Sequence, residues 1–418
     1  MNEMSDVDHR VLGNRMHLFH QQDEGPGMVF WHPRGWELYR VIEDSIRARM
    51  RRAGFQEIRT PQLLARSLWE KSGHWEKFGQ NMFSTVDAEG GRPFCLKPMS
   101  CPCHIQVFNK RVRSWHDLPL RFSEFGACHR DEPSGGLQGL MRTRSFVQDD
   151  AHVFCLEEHI EAEVVRFTAL LREVYTDFGF PKFQAAFSTR PAVRGGSEHM
   201  WDRAEALLEN ASRAAQLDCH LQPGEGAFYG PKLEFHLRDS RGRNWQCGTI
   251  QLDMLLPERL GATYIDRDSQ RAVPVMLHHA VLGSLERFIG MLLEHHEGWL
   301  PTWLAPEQVT VATVSDSSIP YAKRVAIALE QIGVRVKLDA RSERLPRKIV
   351  DAREQCIPFF VAVGNRDERD QTLVLRERHG SQRTMSLEEA IAVLEATCKA
   401  PDTGPHSEEP REPWVNAP

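Results

Sequence analysis

GWLPTWLAP (298–306) divides the chain. Two prolines and two tryptophans in so short a stretch interrupt helix and strand patterns alike, because proline fixes φ and has no amide proton to donate. On its C-terminal side the elements alternate. Strand QVTVATV (308–314) is followed by helix Tyr321–Ile332, strand VRVKLD (334–339) and helix Pro346–Gln355, then by strands PFFVAVG (358–364) and TLVLRE (372–377) and helix Ser386–Thr397. About 95 residues of alternating β and α elements predict a small α/β domain with a mostly parallel sheet.

The N-terminal side follows a different grammar. Trp36, Tyr39, Ile42, Ile46 and Met50 recur at three- and four-residue spacing, the stripe of one long helix over Trp36–Arg52 that Gly54 stops. GFQEIRTP (54–61) reads as a short strand closed by Pro61. FSTV (83–86) and PFCL (93–96) flank DAEGG and predict a hairpin. Further strands are expected at His152–Cys155, Pro231–Leu237 and Trp245–Leu256. Helices are expected at Glu157–Tyr175 and at Ser284–His296, the latter through Leu285, Phe288, Ile289, Leu292 and Leu293. Hairpins mixed with amphipathic helices predict an α+β domain on a largely antiparallel sheet. The expected division is 1–303, 304–399, and a proline-rich tail at 400–418 that lacks apolar periodicity and should be disordered.

Composition fits this division. A chain of 418 residues, 41% hydrophobic and 26% charged, can bury large cores and is too long for one ordinary domain. No apolar run approaches the roughly 18–20 residues of a membrane helix, and the start MNEMSDVDHR has no apolar stretch behind it. An unexported, cytoplasmic protein without membrane association is expected. Lys+Arg 52 against Asp+Glu 58 gives −6, so a nucleic acid would have to meet local patches and not a whole-chain field. Nine cysteines, an odd number scattered along the chain, argue for thiols or metal ligands over a disulfide framework.

Two sets of residues carry chemistry. KPMSCPCH (97–104) supplies Cys101, Cys103 and His104, FVQDDAHVF (146–154) supplies His152, and VMLHHAVLGS (275–284) supplies His278 and His279. Three Cys/His ligands with one open position would suit a catalytic or substrate-binding zinc. Separate core thiols and hydrogen-bonded imidazoles are the other reading, and spacing does not decide between them. Arg130 in FGACHRDEPSG, Arg142 and Arg144 in LMRTRSF, and Arg287 in GSLERF form the second set. Guanidinium groups facing one cleft could hold a triphosphate and a carboxylate together, or they could be exposed ion-pair partners.

Several longer motifs contain these residues: FQEIRTP ending at Pro61, RFSEFGACHRDEPSG (121–135), LGSLERFIG (282–290), KPMSCPCH, QDDAHVF, GEGAFYGPKLEF (224–235) and WQCGTIQLD (245–253). With DHRVLG from Asp8 and PGMVFWHPRGW (26–36), the chain resembles the class II aminoacyl-tRNA synthetases up to about Thr397. Within them it is similar to the catalytic and anticodon-binding domains of the bacterial threonyl-tRNA synthetases. The fold this implies is an antiparallel synthetase sheet flanked by helices, followed by a small α/β anticodon-binding domain.

The resemblance also implies roles. Cys101, His152 and His278 match the family's zinc ligands, with the open position taken by the amino and hydroxyl groups of threonine. Asp150 matches the acceptor of the threonine hydroxyl, with Gln148 and Tyr229 completing the pocket. Arg130 resembles the arginine that bridges the amino-acid carboxylate and the α-phosphate. Glu132 and Phe146 correspond to adenine contacts, Arg142 and Arg287 to triphosphate clamps, and Gln246 and Thr249 to further ATP contacts. Lys232 resembles a substrate-side cation, and His74 in GHWEKFG stands where a ribose hydroxyl is deprotonated during transfer.

ATP with Mg²⁺, L-threonine and tRNA are the implied ligands, and a homodimer through the first motif is the implied assembly. The family's N-terminal domains, including the one that hydrolyses mischarged serine, are expected to be absent, with correction left to a trans-editing protein. Departures from the family are local. Cys103 replaces the usual Gly and reads as packing, and His279 replaces Arg, both beside zinc ligands. In the C-terminal domain Arg376 matches an anticodon contact, but Ser342, Val350 and Asp367 stand for Asn, Arg and Glu, and Pro346 for Gly. Basic residues at 341, 344, 347, 348 and 353 give a local +3 that could meet phosphates or be a solvated helix face. The competing expectation is a threonine-activating paralog that serves a biosynthetic acceptor or inhibitor self-resistance. A catalytically dead binding module would not need to retain the arginines and the ligand triad together.

Overall fold

The stripe at Trp36–Met50 lies on helix α2 (Pro33–Arg52) of the computed structural model, which describes residues 6–87 and 90–401. Leu38, Tyr39, Ile42, Ile46 and Met50 are buried, but Trp36 is exposed and stacks on Tyr39 from outside. A shorter helix, α1 (His9–Arg15), precedes it. Apart from Ala400 and Pro401, the expected disordered tail lies outside the described residues, as do two residues of the DAEGG turn.

Eight strands form the main sheet: β1 (Gln56–Glu57), β2 (Leu120–His129), β3 (Ser145–Cys155), β4 (Phe183–Ser188), β5 (Cys219–Gln222), β6 (Lys232–Arg238), β7 (Asn244–Asp253) and β8 (Val275–Ser284). Their order is β5-β4-β6-β7-β8-β3-β2-β1. All pairings are antiparallel except the outermost two, β5 with β4 and β1 with β2. The α+β expectation therefore holds.

Register gives this sheet two chemically different faces. One cross-strand row runs Phe122, His152, His278, Gln251, Lys232, and the next runs Glu124, Asp150, Ala280, Thr249, Glu234. Side chains two apart on a strand share a face, so both rows point the same way. The intervening residues, among them Ala151, Val153, Leu277, Ile250, Leu252 and Leu233, face the large apolar core with helices α4 (Ile160–Asp177) and α6 (Leu285–His295).

A three-stranded sheet (Leu63–Ala65, Ser84–Val86, Pro93–Leu96) contains the expected hairpin. Helix α3 (Cys101–Phe108) follows and presses its start onto the polar face of the main sheet. Gly126 permits this approach, since a Cβ there would meet Ser100 Oγ at 2.5 Å. Helix α5 (Glu198–Ala214), capped by Ser197, was not expected from the sequence.

Beyond the prolines lie helices α7 (Ile319–Gln331), α8 (Leu345–Glu354) and α9 (Leu387–Cys398) on a five-stranded sheet. Its strands are β9 (Val309–Thr313), β10 (Val336–Asp339), β11 (Phe359–Val363), β12 (Thr372–Glu377) and β13 (Gln382–Ser386), in the order β10-β9-β11-β12-β13. Only the first three are parallel, so the sheet is mixed and not mostly parallel. Strand β13 reads QRTMS, and its largely exposed polar residues give no apolar alternation to detect. GWLPTWLAP is itself packed: Trp303 and Leu304 enter the N-terminal core, and Gln308 Nε2 donates to Thr302 O (3.1 Å) and Cys398 O (2.7 Å). No helix among the described residues is long and apolar enough to cross a membrane.

Candidate functional site

The polar face of the main sheet brings Cys101, His152 and His278 together, all three buried, with ligand atoms within 4.8 Å of one another. His152 and His278 are direct partners across β3 and β8, and Cys101 comes from the first turn of α3. His152 Nε2 lies 3.0 Å from His278 Nδ1. The remaining nitrogen of each ring is held from behind. His278 Nε2 meets Asp253 Oδ2 at 3.0 Å, and His152 Nδ1 meets His104 Nδ1 at 2.9 Å. His104 Nε2 continues to Glu124 Oε2 at 3.1 Å.

That chain of contacts fixes protons. Glu124 receives Thr60 N (2.8 Å), Thr60 Oγ1 (2.9 Å) and the buried Lys97 Nζ (3.1 Å). Burial pushes its pKa up, but the His104 hydrogen bond, the Thr60 amide and the Lys97 charge outweigh this and hold the carboxyl at about 2. An ionised Glu124 can only accept, so His104 carries its proton on Nε2 and offers a lone pair at Nδ1. His152 then donates from Nδ1, and its Nε2 lone pair faces Cys101 and His278. Two imidazole nitrogens and one thiol, each imidazole oriented by an outer acceptor, form a donor set that suits zinc.

Tyr229 stacks on His278 (4.9 Å, 24°) and donates its hydroxyl proton to Gln251. Asp150, next in the row to Ala280, is buried, which pushes its pKa up; nearby His104 and His278 pull the other way. Gln148 stands two residues along β3, opposite Gly126. His74 is close but fully covered by Trp69, Phe228 and Tyr229. Its Nδ1 meets Ser72 Oγ at 2.7 Å, and its Nε2 is buried without a hydrogen-bond partner among the described residues. Burial first, with the nearby Arg259 charge, lowers its pKa to about 3.

The expected nucleotide residues lie on the main sheet, on the segments that join its strands to the turn at 138–142, and at the start of α6. Arg130, just beyond β2, sits over the Phe146 ring (5.0 Å) and donates to Pro98 O (3.3 Å). Arg142 pairs with Glu132 (2.6 Å), so these two expected contacts hold each other. Arg287, in the first turn of α6, donates from Nη2 to Gln246 O (2.7 Å), while its Nε is buried without a partner among the described residues. Gln246 Nε2 reaches Thr249 Oγ1 (3.4 Å), and Lys232 Nζ pairs with Glu234 (2.6 Å). The β8–α6 junction is clamped from below. Asp149 accepts from the amides of Val281, Leu282 and Gly283, each at 2.8 Å, and Glu286 accepts from Val147 N (2.9 Å).

The two departures beside the ligands do not line the pocket. His279 points to the core face, stacked on Phe167 (4.0 Å, 18°), because it is one residue out of phase with His278. Cys103 lies in the first turn of α3 with Cys101 and packs with Trp69, Met82 and Cys95, as a packing residue would. The local +3 around α8 is also largely consumed. Lys348 is buried, donating to Thr313 O and Oγ1 and Asp339 O, Arg341 pairs with Asp339 and Asp351, and Arg347 pairs with Asp351. Arg376 lies on β12 in a cleft of about 430 Å³ lined also by Trp299, Arg353, Phe360, Arg378 and His379. Val350 is exposed on α8, and Asp367 is spent capping the helix Asn365–Asp370 through Gly364 N (2.8 Å).

Gln251, Asp253, Glu124 and Lys97 were not singled out for roles from the sequence, and His104, counted there among the possible metal ligands, instead stands behind His152 as its hydrogen-bond partner. A signal existed: polar residues at every second position of buried strands, Thr249-Gln251-Asp253 and Gln148-Asp150-His152, mark one face as functional.

Residues 83–296 match the family of the tRNA synthetase class II core domain (G, H, P, S and T), and residues 308–397 match the anticodon binding domain. The threonine--tRNA ligase of Caulobacter vibrioides is 53% identical over 403 residues, 96% of this chain and 61% of the relative. That of Gluconacetobacter diazotrophicus is 50% identical over 403 residues, 96% of this chain and 63% of the relative. The chain thus spans about three fifths of the curated relatives it matches. A crystal structure described as the RNA binding domain of threonyl-tRNA synthetase from Cryptosporidium parvum Iowa II superposes with a TM-score of 0.90 at 37% identity, covering 95% of this chain and 99% of that one.

Proposed function

Because the chain belongs to the class II tRNA synthetases, in the group whose core domain serves G, H, P, S and T, we propose that it activates L-threonine with ATP and transfers it to tRNA. The observation that carries this reading is the cluster of Cys101, His152 and His278 on the same sheet face as Asp150, with Arg130 just beyond β2 and Arg287 at the start of α6. An amino acid bearing both an amino and a hydroxyl group fits a site with an open metal position beside a buried carboxylate.

Cys101, His152 and His278 would hold one zinc, which when bound supplies a Lewis-acid anchor for the substrate's amino and hydroxyl groups. Asp150 accepts the hydroxyl proton, with Gln148 and Tyr229 closing the pocket. Arg130 neutralises charge where the carboxylate oxygen attacks the α-phosphorus and pyrophosphate leaves. Phe146 offers its open face to adenine beside Glu132. Arg142 and Arg287 bind the triphosphate that arrives with Mg²⁺, Gln246 and Thr249 add contacts, and Lys232 adds positive charge on the substrate side. In the transfer step His74 Nε2, which has no hydrogen-bond partner among the described residues, receives the ribose hydroxyl proton as that oxygen attacks the threonyl carbonyl and AMP leaves.

Arg376 and its cleft serve the anticodon. The working form is a cytoplasmic homodimer joined through α2 and the β1 edge of the sheet, where a two-residue strand leaves an open side.

Pyrophosphate exchange with each of the twenty amino acids, followed by charging of total tRNA, tests the reading. Exchange driven chiefly by threonine and charging of threonine tRNA are expected. Preference for another amino acid, or an acceptor other than tRNA, would overturn it.

A further inference from the structure

A second cluster of ligand-type side chains lies away from the site: Asp8, His9 and Glu294. It is not built for a cation. Asp8 is taken by Arg10 (2.8 Å), and Glu294 is taken by Arg243. Guanidinium groups therefore already occupy the positions a metal would need.

His9, the first residue of α1, is buried, and both its ring nitrogens are engaged. Nδ1 lies 2.6 Å from Glu294 Oε1, and Nε2 lies 3.0 Å from the amide nitrogen of Leu140. A carboxylate held by Arg243 can only accept, so the ring proton is on Nδ1. The Nε2 lone pair then accepts the Leu140 N–H, and one neutral tautomer satisfies both contacts. The fit is close, since a Cβ on Gly139 would stand 2.2 Å from Nε2.

The three segments joined here each carry an expected ATP contact. Leu140 belongs to the turn between β2 and β3, in which Gln138 N bonds Arg142 O (3.1 Å). Glu294 ends α6, whose first turn holds Arg287. Arg243 directly precedes β7, which holds Gln246 and Thr249. Leu140 and Met141 also pack on Gly290 of α6.

We propose that His9 is a positioning residue for the nucleotide: by accepting the Leu140 amide while anchored on Glu294, it sets the turn that presents Arg142 to the triphosphate. This rests on the ATP-dependent reading above.

The test measures Mg·ATP affinity of the full chain by calorimetry, without amino acid, and the exchange rate of the Leu140 amide. His9→Asn keeps a donor for Glu294 but is too short to reach Leu140, whereas His9→Gln can still place an acceptor there. His9→Asn should weaken ATP binding about tenfold, the worth of one hydrogen bond at the upper end of its usual range, and speed exchange of the Leu140 amide. His9→Gln should stay within about threefold of the parent, and all three proteins should bind zinc alike. ATP affinity unchanged in His9→Asn while the Leu140 amide exchanges freely would overturn the proposal. So would His9→Gln losing as much as His9→Asn. Threonine specificity is read separately, from amino-acid-dependent exchange by the parent protein, so failure of that reading leaves the ATP comparison intact.

Discussion

His152 Nε2 and His278 Nδ1 face each other at 3.0 Å across two adjacent antiparallel strands. Two nitrogens sharing one tetrahedral zinc at about 2.0–2.1 Å would lie roughly 3.3 Å apart. The rings therefore need almost no movement to bind metal, and Cys101 completes the set from the start of a helix. Purified protein should contain one zinc per chain. Cys101→Ser should lose the metal and threonine-dependent pyrophosphate exchange together while keeping its circular dichroism. Full exchange by a protein whose zinc content is shown to be nil would rule this site out of threonine binding.

The buried relay behind His152 makes a separate prediction. With His104→Ala nothing accepts the Nδ1 proton of His152, and the ring is free to turn or change tautomer. Loss of an outer partner of this kind costs about 10–100-fold in metal affinity. Chelator competition should show that drop for His104→Ala, and a smaller one for Glu124→Gln, which still offers an oxygen. Glu124 also shapes acid stability. Its carboxyl is held at about 2 against an ordinary 4.5, so its ionised form contributes stability above pH 4.5 that is lost as pH falls toward 2. The acid limb of Glu124→Gln unfolding should be shallower than the parent's; identical limbs would mean that Glu124 carries no linked proton.

Much of this site was legible in the sequence, and the illegible part has a physical cause. Zinc-type ligands and arginines stand out by residue type and by motif. Their outer partners do not, because Asp253 and Glu124 acquire roles only when register aligns strands distant in sequence, and His104 stands out as a ligand type but turns out to sit behind His152 once α3 packs on the sheet. Likewise His279 looks adjacent to the metal in sequence but lies on the other face, since the strand period of two sends neighbours apart. In the C-terminal domain the apolar runs of β9 and β11 were readable, whereas the exposed β13 was not, nor was the antiparallel pairing of β12 on β11 that makes the sheet mixed.

Arg130 and Arg287 are expected to act on developing charge. Arg130 is already stacked on Phe146 and Arg287 is already anchored on Gln246 O, so both are preorganised. Replacing either by Ala should lower adenylation by about 10²–10³, the usual loss for a preorganised charge contact. Zinc content and melting temperature should hold. A near-normal exchange rate in either variant removes that arginine from the mechanism.

Asp149 should matter through Arg287. Its two oxygens accept three consecutive amides at the β8–α6 junction, and although burial pushes its pKa up to about 7, those amides pull against the rise. Asn offers one acceptor and turns an NH₂ toward donors, leaving at least one buried amide unpaired at about 1–3 kcal/mol each. Asp149→Asn should therefore be less stable to urea by about 2 kcal/mol or more, and it should lose adenylation in step with the Arg287 variant. Unchanged stability would show that the junction is held by packing alone.

The amino-acid pocket should sort valine from threonine far better than serine from threonine. Valine has the right shape but no hydroxyl, so it would leave Asp150 and the open metal position unpaired. Sites built to bind a hydroxyl reject such analogues by about 10⁴–10⁵. Serine keeps both the amino and hydroxyl groups and lacks one methyl, which is worth only about 10–200-fold. The two unusual residues near the ligands do not change this arithmetic, because His279 stacks on Phe167 on the far face and Cys103 packs beside Trp69. Pyrophosphate exchange with purified protein should thus detect serine at high concentration and find no valine signal. Serine refused as sharply as valine would mean that the wall around the missing methyl is tighter than Ala280, Gln148 and Tyr229 suggest. An equal signal from valine would mean that the hydroxyl is not bound by Asp150 and the metal at all.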